Sequence, residues 1–173
     1  RQVDSAPVTS HVFDYQDGHD FCGQLLLEPV SSVVAIAETR ESTAGSTGTG
    51  TGTFTCRLGL LSEDRYEGVV TGAFGMWLTI HESEADAQTS NGYDMDYQQS
   101  GGTVGRPVEG LGAEAYSFVT VEADTNKANV IAVSGNVSLS VQYIFMATDI
   151  QPLASDAMIN VMTDIANDAL AKL

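Results

Sequence analysis

Three histidines, His11, His19 and His81, are the side chains of this sequence best able to move a proton near neutral pH. A nucleophilic triad would need one of them to meet a serine and an acid. With 23 Asp plus Glu and many serines, such sets assemble on paper in any order. The motifs that would fix one are missing. There is no G-x-S-x-G elbow, and His81-Glu82 has no second histidine four residues on. Close carboxylates, Asp94 with Asp96 and Glu82 with Glu84, could serve glycoside chemistry, but a solvated acidic face is the simpler reading. Asp14, Asp17 and Asp20 surround Gly18 without the D-x-D-x-D-G spacing of a calcium loop. Asp20 reads instead as a helix N-cap. No catalytic residue, metal site or cofactor is therefore expected.

Cys22 and Cys56 have neither CxxC nor CxH spacing, which removes a zinc site. Both lie in core-facing registers, one at a helical start and one in a strand pattern. They read as a disulfide, which places the chain in an oxidising compartment. Between them, Ser42 to Thr53 is almost all Gly, Thr and Ser. This stretch reads as a flexible loop, a spacer or a flap over a sheet edge. It lacks the Gly-Lys-Ser/Thr ending of a phosphate loop.

The formal charge of −16 repels nucleic-acid phosphates and anionic lipid surfaces. No nucleic acid is expected as a partner. No apolar run approaches the roughly 20 residues of a membrane span. Membrane association is expected only through a lipid anchor upstream of Arg1.

The elements follow from periodicity. Residues 1–19 are polar and irregular, and are expected to form a mobile arm before a single domain over 20–173. Val30, Val33, Val34 and Ala37 after Pro29 make a short amphipathic helix pattern. Phe54, Cys56, Leu58 and Leu60 alternate as a strand, and Val69 to His81 gives a longer one beside it. Ser83 starts a helix that runs to about Gln99. Val108 to Phe118 enters a third strand through a glycine-flanked turn, and a hairpin turns at Ser134-Gly135-Asn136. A helix after Pro152 carries Met158, Met162, Ile165 and Ala169 on one face. The expected fold is α+β: an antiparallel sheet of about five strands, with the first and last helices packed on one face. Asn136-Val137-Ser138 is a glycosylation sequon short enough to arise by chance.

Four segments together resemble a family of actinobacterial lipoproteins of unknown function. Asp20-Phe21-Cys22-Gly23-Gln24-Leu25-Leu26-Leu27-Glu28-Pro29 is similar to that family's Asp-Pro-Cys-x-Leu-Leu-Thr-Pro. Cys56-Arg57-Leu58 is similar to its Cys-x-Trp, and Gly110 to Tyr116 to its Gly-x-Gly-Asp-Glu-Ala-Tyr turn. The closing helix matches in kind. Phe21, Leu58 and Ala113 depart from the usual Pro, Trp and Asp. The resemblance implies an exported, membrane-anchored protein whose fold is like the extracellular sensor domains of actinobacterial kinases. It carries no catalytic residues.

A non-catalytic extracytoplasmic binding or sensor-like domain is thus expected, with a small molecule, a glycan or an envelope protein as partner. The alternatives are a secreted hydrolase with an unrecognised acid pair or triad, and a structural or regulatory interaction domain of the cell envelope. If the helix after Ser83 covers the less apolar face of the long strand, Trp77, Tyr93 and Tyr97 come close together. These three are the expected ligand-binding residues. The competing expectation is that their rings form a second small core.

Overall fold

Cys22 and Cys56 are bonded, with their Cα atoms 5.6 Å apart, in the computed structural model of this protein. The structure describes residues 12–25, 27–28, 36–62, 70–122, 125–146 and 155–173. The expected helix after Pro29 lies largely outside them; Ile36 and Ala37 already belong to a strand.

The chain is α+β. A short helix α1 (Phe21–Gln24) is followed by β1 (Ile36–Gly48), β2 (Thr51–Ser62) and β3 (Val70–Ile80). Helix α2 (Glu84–Ser100) comes next, then β4 (Arg106–Pro107), β5 (Glu114–Val121), β6 (Thr125–Ser134) and β7 (Val137–Met146). Helix α3 (Ser155–Ala171) closes the chain. The strands form one antiparallel sheet in the order β1-β2-β3-β7-β6-β5-β4. Among the described residues there are seven strands, against the five expected. Of the two additional strands, β4 is only two residues long, too short to show a period. The other comes from the Gly/Thr segment.

Residues 42–53, expected to be a flexible loop, are instead the tip of the β1–β2 hairpin. The ladder runs from Ser42 opposite Cys56 to Gly48 opposite Thr51, and Gly50 takes φ 71° in the turn. Threonine is β-branched and suits a pleated surface. Thr and Gly alternating at period two therefore specify a strand, despite the composition of a linker. The disulfide thus bridges α1 to a strand already paired with its neighbour, not across a slack loop.

Alternation divides the sheet into two faces. One presents Phe54, Cys56 and Leu58 from β2, then Phe74, Met76, Leu78 and Ile80 from β3. Val137, Leu139, Val141 and Tyr143 continue it on β7, and Ala128, Val130 and Ala132 on β6. Met158, Met162, Ile165, Ala166 and Ala169 of α3 pack on this face, as do Phe21 and Leu25 around α1. The first and last helices thus share a face, as expected. Lys172, just past α3, pairs with Asp168 at 2.8 Å and donates to the Gln24 carbonyl, tying the two helices together.

Residues 12–20 have no helix or strand, yet they are held. Phe13 is buried in the core, and the Tyr15 N–H donates to the Gly50 carbonyl at 3.0 Å. The Asn136 side chain accepts from the Phe13 N–H at 2.8 Å and donates to the Phe13 and His81 carbonyls, both at 2.9 Å. Asn136 is 5% exposed, so its sequon nitrogen is fully engaged in the fold. Tyr15 packs in the space above Gly52 and meets Phe54 at 5.1 Å between ring centroids. Asp20 caps α1 by accepting from the Gly23 N–H at 3.0 Å.

Candidate functional site

The second face of the sheet carries the polar residues. Across β2, β3, β7 and β6 one row reads Arg57, Gly75, Gln142, Asn129, and the next reads Thr55, Trp77, Ser140, Ile131. Helix α2 packs mainly on β6 and β7. Its start is capped by Ser83, whose hydroxyl accepts from the Asp86 N–H at 3.1 Å. Ala87 and Asn91 face the sheet and are buried. Asp94 and Gln98 continue that stripe at i+3 and i+4 spacing, where the helix overhangs the sheet.

Two hollows open on this face, the first at the edge of α2 and the second on the strands alone. The first, about 250 Å³, is lined by Trp77, Asp94, Tyr97, Gln98, Asn129, Ser140 and Gln142. The second, about 240 Å³, holds Arg57, Ala73, Gly75 and Ile144, and shares Trp77 and Gln142 with the first. Trp77 stands at their boundary. Its benzo edge occupies the space above Gly75, where a Cβ would lie 2.8 Å from Cζ3 and 3.2 Å from Cζ2. The Arg57 guanidinium lies 5.6 Å from the indole centroid, within cation–π range.

The structure brings Trp77 and Tyr97 to one hollow. Tyr97 is 76% exposed and overlooks it from α2. Tyr93 lies one turn earlier, 71% exposed, and does not line it. Neither tyrosine is core. Desolvation on its sheet-facing side raises the Asp94 carboxyl above its usual range, although the residue as a whole is exposed. Asn129 is 6% exposed; its Oδ1 accepts from the Ser140 hydroxyl at 3.1 Å, while its Nδ2 has no partner among the described residues. Gln98, Asn129, Ser140, Gln142 and Arg57 were missed from the sequence, and Asp94 was read there only as a partner of Asp96. The signal for the sheet residues was present: they are the polar alternates of otherwise apolar strands.

A separate pair involves His81. Its Nε2 lies 2.8 Å from the Ser138 hydroxyl. Burial lowers the imidazole pKa, and the nearby Asp86 charge pulls it partly back. Ser138 is 7% exposed, so the geometry holds a proton between two groups with little room for a substrate. Among the described residues, no group of three or more His, Cys, Asp or Glu converges on a site that could hold a metal ion.

Compared with known proteins, this chain matches no family model, no curated protein and no solved structure.

Proposed function

We propose that this chain is a non-catalytic, sensor-like binding domain working outside the cytoplasm, with its ligand site in the hollows beside Trp77. The observation that carries this reading is the placement of the chain's single tryptophan. It lies on the sheet over Gly75, among amide and hydroxyl side chains, and not in the core. An aromatic surface ringed by a few convergent polar groups is the usual make-up of a small-ligand site. The Cys22–Cys56 bond supports an oxidising compartment. The likeness to actinobacterial lipoproteins supports a lipid-anchored form. Because Trp77 is the only indole, its emission reads the site directly. Titrating the protein with neutral sugars, organic amines and short peptides should give a saturable change for one class. Tyr97→Ala should weaken that change. A flat response to every class from folded protein refutes the reading.

The His81–Ser138 contact is the one observation behind a second reading, a serine hydrolase, and the burial of Ser138 counts against it. A fluorophosphonate probe that labels Ser138 in the folded protein would establish it. Absence of label leaves the binding reading in place.

A further inference from the structure

We infer that the Trp77 hollows take a neutral oligosaccharide and hold two consecutive sugar rings, one in each hollow. This rests on the binding reading above and deepens it.

The lining of the first hollow selects the chemistry. Its Gln98, Asn129, Ser140 and Gln142 are uncharged groups, and Gln142 reaches into the second hollow as well. Each amide both donates and accepts, which matches hydroxyls that do the same. Asn129 is built for the task. It is nearly fully buried, its oxygen is fixed by Ser140, and its Nδ2 is left as an oriented donor in the lining of the hollow. The Asp94 carboxylate accepts from two hydroxyls at once and makes no hydrogen bond to the described residues. The apolar face of a pyranose supplies C–H groups that pack on an electron-rich ring, and Trp77 is that ring.

Other ligand classes fit less well. An organic cation would seek the indole and Asp94, but Arg57 already lies against the same ring and repels a second cation. Phosphates and acidic sugars meet a chain of net charge −16. Size sets the length. Each hollow falls below the roughly 300 Å³ at which drug-sized pockets begin, and the two together fall within that range. Each therefore takes one ring, and a ligand spanning both passes Trp77 and Gln142.

The experiment titrates the full chain with neutral glucan, xylan, mannan and galactan fragments of one to six units, following Trp77 emission and calorimetric heat. Choline and putrescine serve as cationic competitors. One glycan series is expected to saturate. Two units should bind about tenfold tighter than one, with little gain beyond. Tyr97→Ala and Gln142→Ala should each weaken the dimer about three- to tenfold with unchanged denaturation midpoints. Tyr97 is so exposed that its removal leaves the fold intact.

Equal affinity for one and two units would refute the two-ring site. Saturation by choline or putrescine and by no glycan would overturn the glycan assignment and leave a binding site at Trp77. Silence from every compound would overturn both.

Discussion

Gly75→Ala tests the geometry on which the site depends. Gly75 is absent from the glycines with positive φ, so alanine is acceptable to the backbone. What the change meets is the indole: the new methyl would fall closest to Trp77 Cη2 and 2.8 Å from Cζ3. Carbon atoms settle at about 3.5–4.0 Å, so the ring edge must move by roughly 1–1.5 Å. Replacing a strand glycine gains about 0.5–1 kcal/mol in backbone entropy. Forcing a methyl under a packed ring costs about 1–3 kcal/mol. The net loss should lie between zero and about 2.5 kcal/mol, small because the ring edge can swing outward. In urea, with a slope of about 2 kcal/mol per molar, the midpoint should fall by no more than about 1.2 M. Trp77 emission should shift red as the ring loses its bed, and ligand affinity should fall with it. Unchanged emission together with an unchanged midpoint would show that the indole does not rest on Gly75, and the account of both hollows would fail.

Intact protein should weigh about 2 Da less before reduction than after, and Cys22→Ser/Cys56→Ser should lose roughly 3.5–4 kcal/mol in the loop-entropy account for a separation of 34 residues. Asn136→Ala removes three buried hydrogen bonds and should cost about 2–4 kcal/mol by urea denaturation; a loss below about 1 kcal/mol would show that the arm is not held there. Below about pH 6.5 the unfolded chain takes up a proton that half-buried His81 resists, so stability should fall as pH drops from about 7 to 5. His81→Asn should fall less steeply over that window, and identical slopes would refute the assignment.

Much of the fold was legible in the residues themselves. Strong alternation in β2, β3 and β7 marked strands with one buried face. The Ser83 and Asp20 caps and the Met158–Ala169 stripe marked helices. The cysteine pairing followed from their core-facing registers. Residues 42–53 misled because glycine content suggests slack chain, whereas the alternating threonines set a ladder that only β2 completes. The site was half legible. Trp77 on the minority face was readable from period two. Tyr93 and Tyr97, one turn apart, gave no sign of which overlooked the hollow, because that depends on how α2 crosses the sheet. Asn129 and Gln142 are unremarkable alone and become a pair only through the β6–β7 register.

The strand order has a kinetic consequence. β1-β2-β3 and β5-β6-β7 are each a meander of neighbours in sequence, which close early because their loops are short. One ladder, β3 to β7, joins them, pairing Trp77 with Ser140 and Gly75 with Gln142 across more than sixty intervening residues. Trp77, Ser140 and Gln142 therefore sit on the seam, and the pocket comes into being only when the two halves zip together. During refolding, Trp77 should reach native emission with the slowest phase, after far-ultraviolet circular dichroism has recovered most of its sheet signal. The protein thus carries its own reporter of the last assembly step, in the same ring that waits for the ligand.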